Sequence, residues 1–596
     1  MGRTDTLVHR LANWAETQPD KPALRTMAGE GWSTLTWSEY WTAVREVAKG
    51  LIALGHEVGD CVALVGENRP EWVITQMGIM AARGVPAPIY TNNTPEQTAF
   101  IVDHSRSKIA VADRAERLTK YREAQAAGLM KVEQLVVMQA SDAGDDAISL
   151  ATLRAKGRDV DDAVLDQRLD ELTADETAML IYTSGTTGVP KGVMLSSGNM
   201  LAVADALFER WPVLKEVDYR VVSYLPLCHV AEQAVTTFGL LLKGGEVYFC
   251  PDLTKIKDYL LAVHPTIFMA VPRVWEKFQA ALEARLAEAT GLKAKLASWA
   301  LRTEGAAFEQ ELTSGRPANS FGRRMANKLV ISKIKTKLGL DQLRLAVSGA
   351  APISEGTLRF FSSLGIVIYE VWGMSETAAV ATASQFGRPR PGTVGHALKG
   401  VELRIAEDDE VLLKGPGMTS GYLHLPEATA ELFDEEGWLH TGDLGALDDE
   451  GNLRITGRKK DLLITAGGKN VAPAEMEAYI SQIPGVGQVV VVGDRQPCLC
   501  ALITLDPEGL QGLAAAAGAK AGSLEELAAQ AAVREHLMRE VETHCNDKVA
   551  RYQTIKKIRV LPVEFTVDGG EMTPTMKVKR NVINKKYADD IAALYA

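Results

Sequence analysis

The chain has 596 residues, 46% of them hydrophobic and 24% charged, with a formal net charge of −11. That length exceeds what one hydrophobic core organises, and the composition is that of a folded globular protein rather than a disordered or collagenous one. The acidic balance argues against a nucleic-acid binder, which needs a clustered positive field to neutralise phosphates.

The N-terminus, Met1-Gly-Arg-Thr-Asp-Thr6, lacks the apolar core of a secretory leader, and no later stretch reaches the roughly 18 apolar residues of a membrane span. Six cysteines, at positions 61, 228, 250, 498, 500 and 545, are scattered in a way that suits reduced thiols. The expectation is a cytoplasmic protein.

Along the chain, short apolar runs alternate with longer helical patterns. Thr177–Tyr182, Val221–Leu225, Thr266–Val271, Leu343–Val347 and Ile366–Tyr369 read as strands. The alternation predicts an α/β fold with ligands held at polar strand ends. Residues 276–340 carry Ala, Leu, Lys, Arg and Glu at helical spacing and predict a helical insertion. Its Arg323, Arg324, Lys328, Lys333, Lys335 and Lys337 form a candidate basic face for anionic lipid headgroups, weighed against a plain solvated helix surface. Near Gly457-Arg458-Lys459-Lys460-Asp461 the strand-like run Asn452–Thr456 gives way to a charged link. The remainder has its own strands, Val489–Val492, Leu499–Thr504 and Ile558–Leu561, and is long enough for a domain. The expected division is 1–457, itself subdivided, and 458–596, with the link at 458–461.

The strongest local signal is Tyr182-Thr183-Ser184-Gly185-Thr186-Thr187-Gly188-Val189-Pro190-Lys191-Gly192. Small hydroxyl and glycine residues let backbone N–H groups close around phosphate oxygens, and Lys191 adds a compact positive charge. A Walker A loop is excluded: counting from Gly185, Pro190 stands where its second glycine belongs, and Gly192 follows the lysine where Ser or Thr should. Gly192–Leu195 reads as a strand, and the next helix is expected to start from a cap near Ser197, so the loop joins two strands. A Gly/Ser/Thr-rich flexible linker is the plainer alternative.

The phosphate loop resembles that of the acyl-adenylate-forming superfamily, which includes acyl-CoA synthetases, luciferases and peptide-synthetase adenylation domains. Further motifs of that family occur in the right order across nearly the whole chain. Ser223-Tyr-Leu-Pro-Leu-Cys-His229 resembles its strand-end histidine motif, which implies that His229 lies beside the substrate carboxylate. Ser348-Gly349-Ala350-Ala351-Pro352 resembles the small-residue loop that receives adenine. Tyr369-Glu-Val-Trp372-Gly373-Met374-Ser375-Glu376-Thr377 resembles the aromatic-Gly-x-Thr/Ser-Glu motif, with Trp372 stacking the base and Glu376 with Thr186 holding Mg²⁺. The family more often has Tyr at Trp372. A serine-hydrolase elbow at Gly373–Thr377 is excluded, because its fifth residue is Thr rather than Gly.

Trp438-Leu-His-Thr-Gly-Asp443 resembles the ribose motif, and Arg458 is implied to reach the same ribose. Lys460 aligns with the family's hinge residue and Gly468 with the glycine beside its pantetheine channel. Thr573-Pro-Thr-Met-Lys577 resembles the C-terminal loop whose lysine bridges carboxylate and α-phosphate, with Thr575-Met576 in place of the usual Ser-Gly. The resemblance therefore implies a large multi-subdomain N-terminal adenylate-forming domain and a small mobile α+β C-terminal domain that rotates about Lys460.

The runs Val221–Gln233 and Val271–Lys277 resemble long-chain fatty acyl-CoA synthetases of the bubblegum type. ATP, Mg²⁺, coenzyme A and a fatty acid are the implied cofactors and substrates, with His229, Lys577, Glu376 and Thr186 as the catalytic set. Two other readings stand beside this one. The first is a fatty acyl-AMP or aryl ligase loading a carrier protein. The second is a nucleotide-binding regulator without catalysis, against which the intact Lys191, Glu376, Asp443 and Lys577 speak.

Overall fold

The computed structural model describes residues 5–29, 31–184, 189–315, 318–567, 569–573 and 577–596. One sheet of the N-terminal part is wholly parallel. Its strands, laid side by side, are Val85–Ile89, Cys61–Val65, Ile109–Ala112, Gln134–Val137 and Ala147–Ser149, so the chain doubles back at the Cys61–Val65 strand. The interior residues of these strands are buried apolar side chains, as expected where helices cover both faces.

A second sheet sets Arg220–Ser223 beside Glu246–Phe249 and Pro22–Ala28, with Gly31–Thr36 antiparallel at the edge. A third aligns Ile267–Ala270, Leu345–Ser348 and Ile368–Trp372 in parallel, followed by two short antiparallel strands. The α/β class expected from the alternating pattern is the class observed. The predicted strands are present with shifted ends. Val221–Leu225, for example, is cut back to Arg220–Ser223, because the Leu225 amide is drawn off by the Glu232 carboxylate.

The helical insertion is the crossover between two neighbouring parallel strands of the third sheet. Helices Pro272–Ala287, Gly291–Ser314, Phe321–Ala326 and Ser332–Leu338 fill it. Two of the six residues of the candidate basic face turn inward. Arg323 pairs with Glu304 and Glu311, and Lys335 reaches the carbonyl of Gly365 at 3.5 Å.

An antiparallel sheet, Glu402–Ile405, Glu410–Lys414, Leu439–Leu447 and Leu453–Arg458, leads to the C-terminal part. There the strands Val486–Val492, Leu499–Leu505 and Ile555–Val560 pack with helices Pro473–Ile480 and Ala531–His544. Met476, Ile480, Val491, Ile503, Leu537 and Ile555 belong to an apolar core of their own. A separate core is the physical basis on which such a unit can move against its neighbour.

Candidate active site

The phosphate-loop sequence lies at the tip of a hairpin. Thr177–Ser184 and Pro190–Ser196 run antiparallel, with Thr183 opposite Lys191 and Ser184 opposite Pro190. Gly185, Thr186, Thr187 and Gly188 lie outside the described residues. The following helix, Ser197–Arg210, is capped by Ser196 rather than Ser197: the Asn199 amide donates to Ser196 Oγ at 3.1 Å. The loop thus joins two strands and does not open into a helix dipole as a Walker loop does. Lys191 Nζ stands 4.8 Å from the centre of the Tyr422 ring, a cation–π distance.

Two neighbouring strand ends supply the next wall. Leu345–Ser348 and Ile368–Trp372 pair in parallel, and the chain leaves each through a glycine that could hardly be anything else. A Cβ on Gly349 would come within 2.6 Å of Val371 Cγ2, and one on Gly373 within 2.4 Å of the Ala379 carbonyl oxygen. Ala350 is held at φ +69°, a conformation that costs a residue with a side chain about 1 kcal/mol or more. Ala351 is exposed beside it. Met374 begins the turn that presents Ser375 and Glu376, its amide donating to Thr377 Oγ1 at 3.0 Å.

Glu376 is buried, and Tyr422 Oη donates to its Oε1 at 2.8 Å. Burial pushes this carboxyl above its usual range, while the Tyr422 hydrogen bond and the charges of Arg458 and Lys191 work in the opposite direction. Tyr422 escaped the sequence reading. Apart from Gly421 before it, its local sequence gives no signal.

Asp443 joins three elements. Its Oδ2 accepts the indole N–H of Trp372 at 2.8 Å, and its Oδ1 lies 3.0 Å from Arg458 Nε. Trp372 and Asp443 sit on different sheets, so this pair ties the strand end of one to the hairpin of the other. An ionised carboxylate has about four acceptor positions, so two hydroxyls can still be received.

His229 ends the loop after strand Arg220–Ser223 and caps the short helix Val230–Gln233, its Nδ1 accepting from the Ala231 amide at 3.2 Å. With Nδ1 so occupied, a neutral ring carries its proton on Nε2. Burial, and next the positive charge of Lys577, push the imidazole down to about 3, so it stays neutral across the physiological range.

That charge comes from the C-terminal part. Lys577 is set by its own backbone, whose N–H donates to Thr573 Oγ1 at 3.0 Å and whose carbonyl accepts from the Thr573 amide at 2.7 Å. Its side chain projects into the cleft near Arg458, Asp443 and His229. Burial, with the Arg458 charge, lowers its ammonium to about 8, against the pull of Asp443. Lys460 is lowered too, by burial and by Lys191 and Arg458. Gly468 is elsewhere, at φ +73° in an exposed turn between Leu463–Ile464 and Asn470–Val471. The cleft therefore gathers Lys191, His229, Trp372, Glu376, Asp443, Arg458, Lys460 and Lys577 and leaves Gly468 outside.

Beyond the His229 helix lies an apolar cavity of about 570 Å³ counting its open mouth, lined among others by Leu207, Trp211, Val235, Met269, Val347 and Val371.

Two family profiles match the chain, one on each part. The profile of the AMP-binding enzymes matches residues 11–423, and that of the AMP-binding enzyme C-terminal domain matches residues 460–596. The chain belongs to the AMP-binding enzymes. Similar relatives are the long-chain-fatty-acid–CoA ligase FadD15 of Mycobacterium bovis, 36% identical over all of this chain and 98% of its own, and the long-chain-fatty-acid–CoA ligase ACSBG2 of Xenopus laevis, 34% identical over 97% of this chain and 82% of its own. The adenylation domain of a carboxylate reductase from Mycobacterium chelonae shares the fold, with a TM-score of 0.77 at 23% identity over 99% of this chain and 91% of its own. The resemblance drawn from the motifs is thus borne out for this AMP-binding enzyme. No helix among its described residues is long and apolar enough to cross a membrane.

Proposed function

We propose that this AMP-binding enzyme is a long-chain fatty acid–CoA ligase. It joins the acid to ATP as an acyl-adenylate with release of pyrophosphate, then passes the acyl group to the thiol of coenzyme A with release of AMP. The observation that carries the reading is Lys577 held in the cleft opposite His229, Asp443 and Arg458. The names of the relatives, on chains of nearly the same extent, support the acyl and thiol partners.

The first step brings two anions together, the acid's carboxylate and the α-phosphate, so cancelling charge is the main demand. Lys577 is cationic below about pH 8 and bridges both. His229, neutral with its proton on Nε2, donates a hydrogen bond to the carboxylate and does not compete for a proton. Asp443 takes the ribose hydroxyls, with Arg458 beside it. Gly349, Ala350 and Ala351 leave a flat floor for adenine, which Trp372 faces. Thr183, Ser184, Gly185, Thr186, Thr187, Gly188 and Lys191 close on the phosphates. No side chain need form a covalent bond, and catalysis is positioning with electrostatic stabilisation.

Glu376, buried and in no ion pair among the described residues, fits a Mg²⁺ partner. Among the described residues no cluster of three His, Cys, Asp or Glu could hold a metal alone, so an ion here would share Glu376 and Thr186 with the phosphates and offset their charge. For the second step, rotation about Lys460 withdraws Lys577 and turns Gly468 inward for the thiol.

The free cysteines support a reducing, cytoplasmic setting. Leu292 and Phe321, 81% and 73% exposed on the helical insertion, beside Lys293 and Arg324, support peripheral contact with an anionic membrane. Co-sedimentation with phosphatidylglycerol vesicles tests this contact, and a chain that stays in the supernatant removes it.

ATP–pyrophosphate exchange across acids of increasing length, followed by product analysis with and without coenzyme A, tests the main reading. Exchange rising toward long chains and acyl-CoA formed only with coenzyme A are expected. Absence of exchange with palmitate would refute it, and transfer to a carrier protein alone would favour a carrier-loading ligase.

A further inference from the structure

Glu232 has no part in the reaction set out above, yet its residue is only 2% exposed. Among the described residues, no lysine, arginine or histidine pairs with it. Its partners are neutral donors arriving from two sides. The Leu225 amide donates to Oε2 at 3.1 Å, and the Ser223 hydroxyl and Tyr224 amide of the same segment favour its charged form. From the opposite side Thr236 donates to Oε1. Ser223 is itself fixed, its Oγ accepting from Asn68 Nδ2 at 2.8 Å, while the same amide nitrogen donates to the Leu225 carbonyl at 2.7 Å. One donor from each side, the Leu225 amide and the Thr236 hydroxyl, suits an ionised carboxylate, which only accepts.

The two sides are the two approaches to His229. Residues 223–225 are the strand end that delivers the chain to it, and Thr236 lies in the π-helical segment Ala234–Gly239 that follows it. Ala234, Val235 and Gly239 of that segment line the apolar cavity. π-helical turns are uncommon and concentrate at functional sites. The head of this one is anchored a second time, because Gln233 and Gln76 exchange two amide hydrogen bonds of 3.0 Å.

We propose that Glu232 is a positioning residue for adenylation, its carboxylate clamping the strand end before His229 to the cavity wall after it, so that acyl occupancy and histidine placement are coupled. The inference rests on the adenylation proposed above. A protonated carboxyl brings a donor of its own between two donors, so proton uptake slackens the clamp. Burial pushes Glu232 up to about 7, against the hydrogen bonds from Thr236, Ser223 and the backbone, so the clamp changes state as pH falls through neutrality. The titratable groups facing it are Tyr219, Tyr224 and Cys250, all raised by burial and neutral in that range.

The test is palmitate-dependent ATP–pyrophosphate exchange by the full chain, with thermal unfolding followed in parallel. Glu232→Gln is expected to lower kcat by about tenfold with the KM for ATP within about twofold, and to displace the acidic limb of the pH profile. Thr236→Val, which removes one donor from the cavity side, is expected to cost about threefold, and Thr236→Ser to restore the rate. Should Glu232→Gln fail to fold, the Thr236 pair decides alone. Wild-type kcat and an unmoved pH limb in these variants would overturn the clamp, as would rate losses that follow the folded fraction without rescue by serine. A wild-type chain inactive with every acid would instead overturn the adenylation reading itself.

Discussion

The two halves of the candidate site are built on opposite terms. In the N-terminal wall, the buried carboxylates already have partners: Glu376 has Tyr422, and Asp443 has both Trp372 and Arg458. The C-terminal half brings Lys460 and Lys577 to the cleft, and Lys577 forms no ion pair among the described residues and is pushed down to about 8 by burial and Arg458. The fixed wall is held by its own hydrogen bonds before any ligand arrives. The delivered lysine is destabilising until a negatively charged ligand arrives, as suits a group that must also be able to leave.

The largest expected effect breaks the delivered half. Lys577→Met should reduce ATP–pyrophosphate exchange by about 10²–10³-fold, the scale seen when a preorganised electrostatic group is removed. Thiolation of supplied acyl-adenylate should fall far less, and equal losses in both half-reactions would sink the assignment. The same variant should be more stable than wild type, by on the order of 1–2 kcal/mol after allowing for partial exposure. The sign follows from linkage. A lysine lowered from 10.5 to about 8 binds fewer protons in the fold than in the unfolded chain between those values, so stability rises with pH across that window and is lowest below it. Activity runs the other way: kcat/KM for ATP should fall as pH rises through about 8, where the free enzyme loses the ammonium. Lys577→Arg, which keeps its charge, should lack that limb.

A second variant probes the fixed half. Asp443→Asn keeps the shape but removes the charge that holds Arg458 and is proposed to meet the ribose. The KM for ATP should rise by about ten- to a hundredfold, with a loss of about 1–3 kcal/mol in stability, because a charged acceptor of two hydrogen bonds has gone. Isothermal titration with ATP and a melting curve measure both, and an unchanged ATP affinity would remove Asp443 from the nucleotide site.

The difference between the halves also explains what was legible in the sequence. Glycines 349 and 373 are demanded by crowding at strand ends, from the Val371 side chain and the Ala379 carbonyl, and such demands leave fixed letters at fixed spacing. The alternating apolar runs gave the sheets for the same reason, since a strand covered on both faces has few alternatives. Tyr422 and Glu232 were missed because their roles come from contacts across 46 residues in one case and from a helix turning back on its own strand end in the other. Neither has a local pattern. The basic run in the insertion misled in part, because Glu304 and Glu311, which absorb Arg323, precede it by a full helix.

The smallest effect sharpens the comparison most, because it separates packing from bonding in the fixed wall. Trp372, proposed to face adenine, gives its indole N–H to Asp443 at 2.8 Å. Trp372→Phe keeps an aromatic face and deletes the donor, so adenine packing should survive while Asp443 loses one of its two anchors. The expected result is a rise of about three- to tenfold in the KM for ATP with kcat nearly unchanged, in line with one charge-assisted hydrogen bond acting indirectly. Trp372→Tyr restores a hydroxyl but at a different reach, and should recover affinity only if that hydroxyl finds Asp443. If phenylalanine matches tryptophan in both KM and melting temperature, the indole–carboxylate bond contributes nothing, and the wall is held by packing and Arg458 alone.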